Sequence, residues 1–419
     1  MRFYSGLARV GGWLLLVAIL LSGFVVMTHL AFHPVLVPVA NAEPALVSSK
    51  SPPSADLTED QSPLDVFTPP VSSVNTQLAQ KLYSPQSLET TAVSTAANEP
   101  KKAVDVTSFN SFGSQAILDA CWTKDQLRGN DTDRLIHKQP ADRSPPFHVI
   151  PAHQPIPLAA RLQGSIRTIV PDPDKKLVAL TFDLCEAANE KAGYEANIVN
   201  YLRDHNIAAT FYAGGKWMRS HPDKTKQLMA DPLFEIGNHS WTHGNLRQLT
   251  GEKMQTQVLW TQAEYEDIWQ SLKDDLPRCG LSVAEMDHIP PIPLSFRYPY
   301  GACSAESLNF METYGLPSIQ WNIVTADPGK QQTAQAIANT ILQGIKPGSI
   351  IVAHANGRGW HTAEALPQFI PQLQEQGYRF VTVSQLIAEG KSVEAASTCY
   401  ELSPGDNFRY DHLAKKSKP

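Results

Sequence analysis

From residue 175 onward the chain alternates short, almost wholly apolar runs with longer amphipathic stretches, and few architectures accept that alternation. Such runs are strands buried on both faces, with helices covering them, so the chain is an α/β protein with a parallel-rich sheet. The strand candidates are LVALTFD, ATFYAGG, FEIGN, SFRYP, SIQWNIV, SIIVAH and RFVTV. Helical patterns fall between them at 190–204, 221–230, 252–274, 304–314, 332–344 and 362–376. About seven parallel strands with intervening helices suit a distorted, nearly closed (β/α) barrel better than an open doubly wound sheet. Asp183, His239, Arg297, Asp327 and His354 stand at or just beyond the strands. Carboxyl ends of parallel strands are where such folds build their sites.

The flanks decide where the protein works. Arg2 and Arg9 precede residues 10–42, which contain no Asp, Glu, Lys or Arg. Residues 1–42 therefore read as a signal peptide or an N-terminal membrane anchor: VANAE offers a cleavage site, while the apolar part approaches the ~20 residues that span a bilayer. Both readings export the body to the periplasm or cell envelope, with the membrane a partner if the segment is uncleaved. Residues 43–107, rich in Ser, Thr, Pro and Ala, are expected to be a disordered linker. Residues 108–174 then form an N-terminal extension packing on the barrel, 175–388 the barrel domain, and 389–419 a C-terminal tail. At 42% apolar and 18% charged the chain has ample material for a core, and its net charge of −6 argues against a nucleic-acid partner.

Five cysteines in an exported chain without a CxxC pair point to disulfides rather than a thiolate zinc site. Cys121 with Cys399, and Cys279 with Cys303 around a Pro-rich insertion, are the candidate pairs, leaving Cys185 free and buried. The alternative is five small core residues.

In GNHSWTHGNL, His239 and His243 are four apart, so one helical turn would put both imidazoles on one side, as a divalent metal requires. The competing reading is two surface or satisfied core histidines, but Gly237 and Asn238 mark a strand-to-loop switch beside them. GGK at 214–216 is a turn rather than a phosphate loop, because its spacing is wrong. No GxSxG, HExxH or GxGxxG occurs, so the usual serine-hydrolase, zincin and dinucleotide readings lack support.

TFD at 181–183, HSWTH at 239–243, RYPYG at 297–301, Asp327 in WNIVTADPG and VAH at 352–354 together resemble, in order, the motifs of a known family. They are similar to those of the polysaccharide deacetylases of the NodB-like kind, carbohydrate esterase family four. The resemblance spans about half the chain. It implies a metal-dependent hydrolase that takes N-acetyl, or O-acetyl, groups from an acetylated polysaccharide or oligosaccharide and releases acetate. It implies Asp183 as general base, His239 and His243 as ligands of a divalent metal, commonly zinc, and Arg297 as the group orienting Asp183. It further implies that an amide at Tyr300 binds the oxyanion and that Asp327 supports His354 as general acid.

The first motif departs from the family pattern, because Leu184 stands where a second aspartate completes the metal triad. Two neutral histidines alone would hold zinc weakly. Glu186 is the favoured replacement ligand; the alternatives make it the base, with Asp183 on the metal, or a residue opening a helix. Pro328 replaces a usual tryptophan and Val352 a usual leucine. Trp241, Trp360 and Tyr298 are candidates for stacking on sugar rings or for lid packing. The rival functions are an inactive carbohydrate-binding relative and a tethered envelope scaffold.

Overall fold

Runs of apolar residues as long as LVALTFDL leave no face for water, and Leu177–Leu184 is buried along its whole length. Alternation then sorts the side chains. Leu180, Phe182 and Leu184 join Val199, Leu202 and Phe369 in the core beneath the helices. Leu177 and Ala179 face the other way, into a second core with Ile166, Tyr212, Ile350 and Val352. A computed structural model describes residues 103–414 of the protein, except 106–107 and 109–111. The candidate membrane segment at 1–42 and nearly all of the linker lie outside the described residues. Among the described residues no helix is long and apolar enough to cross a membrane.

The central sheet has nine strands among those residues. They are β1 (Ser165–Pro171), β2 (Leu177–Leu184), β3 (Ala209–Ala213), β4 (Phe234–Asn238), β5 (Ser318–Ile319), β6 (Ile323–Val324), β7 (Ser349–His354), β8 (Arg379–Phe380) and β9 (Gly390–Ala396). The main path runs β9-β1-β7-β2-β3-β4, while β6 pairs with β7, β8 with β2 and β5 with β1. The expected sheet of about seven parallel strands needs correcting, since β1 runs antiparallel to both β7 and β9. These two additions lie outside 175–388, so the sheet extends into both flanks. SFRYP gives no strand; Pro293 lies just before it and Pro299 ends it, and only Phe296 makes single bridges, to Asn238 and Ser318. The sheet curls so that those bridges connect β4 to β5.

The helices over the sheet are α1 (Ala196–Asp204), α2 (Gly215–Ser220), α3 (Pro222–Ala230), α4 (Gly251–Asp275), α5 (Ala305–Tyr314), α6 (Ala334–Gly344), α7 (Thr362–Glu375) and α8 (Val383–Glu389); α2 and α8 lie outside the six expected stretches, and the first of those begins at 196 rather than 190. Local signals set their ends. Ser304 closes a capping box with Ser307 at the start of α5, and Gly315 ends that helix in the left-handed conformation.

The cysteines pair differently from the expectation. Cys121 joins Cys279, and Cys303 joins Cys399. The folded chain brings the Cα atoms to 5.1 and 5.4 Å, within bridging range. Cys185 is the free, buried thiol. Alkylation of the unreduced, denatured protein should therefore label one cysteine, and labelling after reduction should reach all five. Three or more labelled thiols before reduction would contradict the pairing.

Candidate active site

Parallel pairing places Asp183, at the end of β2, directly beside His354, at the end of β7. Thr181 and Asp183 alternate onto the inner face, opposite to Leu180 and Phe182. There Arg297, fully buried, donates through one terminal nitrogen to Asp183 Oδ1 at 3.0 Å and Thr181 Oγ1 at 2.6 Å. Its other nitrogens reach the carbonyls of Ile319 and Gln320, both at 3.2 Å. All three of its nitrogens are thus engaged, and the guanidinium holds one carboxylate in one pose.

His239 and His243 follow β4 in an irregular loop, not in the helical turn that their spacing suggests. Ser240 and His243 have left-handed backbones at φ 68° and 58°, a conformation that costs ~1–3 kcal/mol each and persists only where the surroundings enforce it. Asn238 and Gln257 do so. Asn238 Oδ1 accepts from the Ser240 amide at 2.9 Å, and Gln257 Oε1 accepts from the amides of Thr242 and Gly244. The result brings the two imidazole rings within 5.1 Å of each other. His239 Nδ1 lies 3.0 Å from the Arg297 carbonyl. Only a protonated Nδ1 can make that bond, so the Nε2 lone pair is turned into the site. It lies 3.5 Å from Asp183 Oδ2 and 3.3 Å from Cys185 Sγ.

His354 is held from behind. Its Nδ1 lies 2.9 Å from Asp327 Oδ1, and its backbone amide donates to Asp327 Oδ2 at 2.7 Å. Asp327 also accepts from Thr325 and Thr362 hydroxyls. Gly359 makes room for this arrangement, because a Cβ there would stand 2.0 Å from the His354 carbonyl oxygen. Burial pushes the His354 imidazole down, but the Asp327 carboxylate, aided by Cys185, carries it well above its ordinary value. Burial likewise disfavours the His239 cation, and Asp183 and Cys185 outweigh it, leaving that group raised. Burial pushes the Cys185 thiol up, yet His243 and His239 hold it well below its usual value.

Tyr300 has a left-handed backbone, φ 63°, in the short turn Pro299–Gly301. Its ring packs edge-on to His243 at 4.4 Å and lies 5.4 Å from Tyr410.

Glu186, expected as third ligand, is elsewhere. Beyond β2 the chain turns and sends this side chain into a closed pocket, where Oε1 accepts from Lys216 Nζ at 3.0 Å and Ser220 Oγ at 2.5 Å. Oε2 accepts from the Ala192 amide at 2.8 Å. Burial raises its carboxyl above the ordinary value against those bonds. Neither the ligand nor the base role fits that position. Trp241 and Tyr298 are also corrected, being buried at 2% and 0% exposure and so closed to a sugar. Trp360 is half-buried, with Lys330 over its ring.

The residues brought together are Asp183, His239, His243, Arg297, Tyr300, Asp327 and His354, with Cys185 among them. One nitrogen of each of His239 and His243 and the Cys185 sulfur lie within 4.8 Å of one another, as do donor atoms of Asp183, Cys185 and His354. An oriented imidazole lone pair, a second imidazole and a soft sulfur donor fit a divalent ion of the zinc type. Sequence reasoning missed Cys185, Thr325, Thr362 and Asn356, whose amide holds the Cys185 carbonyl at 2.8 Å. For Cys185 a signal existed: it follows Asp183 by two residues, the spacing that repeats a face along an extended chain.

Residues 171–319 match the polysaccharide deacetylase family. A peptidoglycan-N-acetylglucosamine deacetylase from Listeria monocytogenes is 29% identical over 214 residues, covering 51% of this chain and 39% of that protein's length. A chitooligosaccharide deacetylase from Azorhizobium caulinodans is 28% identical over 193 residues, covering 43% of this chain and 82% of the relative. A family-four carbohydrate esterase pseudoenzyme from Bacillus anthracis, of solved structure, shares 26% identity over 52% of this chain and 67% of its own, with a TM-score of 0.39. With the five motifs in order around one site, residues 171–319 are identified as a polysaccharide deacetylase domain, similar to the NodB-like carbohydrate esterases of family four.

Proposed function

We propose that this protein removes N-acetyl groups from an envelope or extracellular polysaccharide, releasing acetate and a free amino sugar. The observation that carries this reading is an Arg297-anchored carboxylate next to an Asp327-paired imidazole, with two converging histidines beside it. A divalent ion, in our reading zinc, held by His239 and His243 with a third donor, would supply carbonyl polarisation and an acidified water. Asp183 is fixed through Oδ1 and presents Oδ2 to the site, where it takes the proton of the attacking water. The Tyr300 amide binds the developing oxyanion. His354, kept protonated by Asp327, gives its proton to the departing amine. The named relatives act on acetamido sugars, which supports amide over ester cleavage. Arg2 and Arg9 before the apolar segment support a periplasmic or envelope location.

Acetate release from peptidoglycan, chitooligosaccharides and an acetylated exopolysaccharide tests the reading. At least one should yield acetate, with loss on chelation and recovery on adding zinc. No acetate from any of them would overturn it. A second reading, an inactive glycan-binding relative, draws on Leu184 in place of the expected carboxylate; glycan binding without acetate release would favour it.

A further inference from the structure

The proposed chemistry requires a third donor, and the first motif supplies no carboxylate for it. Leu184 occupies the usual position, and its side chain is buried in the core on the helix side of the sheet. Glu186 is committed to Lys216, Ser220 and the Ala192 amide. Asp183 Oδ1 belongs to Arg297. Asp183 Oδ2, 3.5 Å from His239 Nε2, is kept for the base role, and the other donor beside the histidine pair is the Cys185 sulfur.

We propose that Cys185 is the third protein ligand of the metal centre, as a thiolate, making a site of two imidazoles and one sulfur. This rests on the deacetylase reading only for the expectation that a metal is held here. The geometry is close to what such a centre needs. With ~2.3 Å to sulfur and ~2.1 Å to nitrogen, a tetrahedral ion holds those two atoms about 3.6 Å apart. The Cys185 Sγ to His239 Nε2 distance is 3.3 Å, and a His243 nitrogen lies within 4.8 Å of both. The carbonyl of Cys185 is pinned by buried Asn356, which fixes the backbone that carries the sulfur. Cys185 has no disulfide partner, whereas the other four cysteines are paired. A thiolate restores the single negative charge that Leu184 removes. It also changes the preference, favouring zinc and cobalt over magnesium, calcium and manganese, which take oxygen donors.

The test uses the full chain, stripped of metal and titrated with Co²⁺. Wild type should bind about one equivalent and show a near-ultraviolet thiolate-to-cobalt charge-transfer band, as one Cys₁His₂ centre requires. Cys185→Ser should lose the band and weaken binding by more than ~100-fold, beyond the 10–100-fold expected for losing an outer-shell partner. Cys185→Asp should keep cobalt but lose the band, which separates loss of the sulfur from loss of the fold. One equivalent of cobalt without the band in wild type would overturn the proposal. So would unchanged affinity in Cys185→Ser, or equally fast alkylation of Cys185 with and without bound metal, which would point to an unligated thiol acting as nucleophile. A band in a protein that releases no acetate from any glycan would support the ligand assignment and overturn the deacetylase reading alone.

Discussion

Asp183→Asn should lower turnover by the ~10²–10⁴ that a positioned general base contributes, with metal content close to wild type. The substitution keeps the shape of the side chain and its Oδ1, so the acceptor for Arg297 survives. Thr181 and the carbonyls of Ile319 and Gln320 continue to occupy the guanidinium. What is lost is the negative charge and the basic Oδ2 on the site side. Initial rates of acetate release, with metal analysis on the same sample, decide the matter. Turnover within a few-fold of wild type would move the base elsewhere. Loss of the metal would make Asp183 a ligand and leave the proton transfer unassigned.

Glu186→Gln should act on stability instead. Its carboxylate and Lys216 are 0% and 3% exposed, so neutralising one partner leaves an ammonium buried without its counter-charge. Breaking such a pair costs about 3–5 kcal/mol. Denaturant unfolding should show that loss, while metal content and turnover per folded molecule stay near wild type. Adding Lys216→Met should recover much of the stability, because the uncompensated charge is then gone. Unchanged stability together with lost metal would return Glu186 to the ligand set.

The contrast between these two carboxylates shows what the primary structure conveys and what it hides. Asp183 could be placed because it ends an unbroken apolar strand and belongs to one of five ordered motifs. Glu186 could not, because its position depends on the turn after β2 and on Lys216, whose GGK context reads only as a turn. Gly215 gives the reason for that context: a Cβ there would stand 2.3 Å from the Trp241 ring, so a glycine must precede the lysine. The six helical patterns were legible from their period, although the first begins at Ala196 rather than 190 because residues 190–191 pair as a short strand. β9 was not, since GKSVEAA has little apolar content and most of its side chains face water. The histidine pair was correctly brought together for the wrong local reason, through two left-handed residues in place of a helical turn. Trp241 and Tyr298 looked accessible only because burial across a curled sheet depends on segments far away in the chain.

The course of β9 has a meaning for how the molecule behaves in company. Among the described residues it pairs only with β1, covering that strand's hydrogen-bonding edge from Ser165 to Pro171. It carries charged side chains, Lys391 and Glu394, paired with Asp172 and Lys346. Charged side chains of this kind keep an edge from recruiting another strand. Three residues later Cys399 closes the bridge to Cys303. A protein shortened before Gly390 would expose two adhesive features together, the bare backbone of β1 and the unpaired sulfur of Cys303. Loss of the stretch from Gly390 to Cys399 should therefore favour self-association, a consequence quite separate from the chemistry at the far ends of β2 and β7.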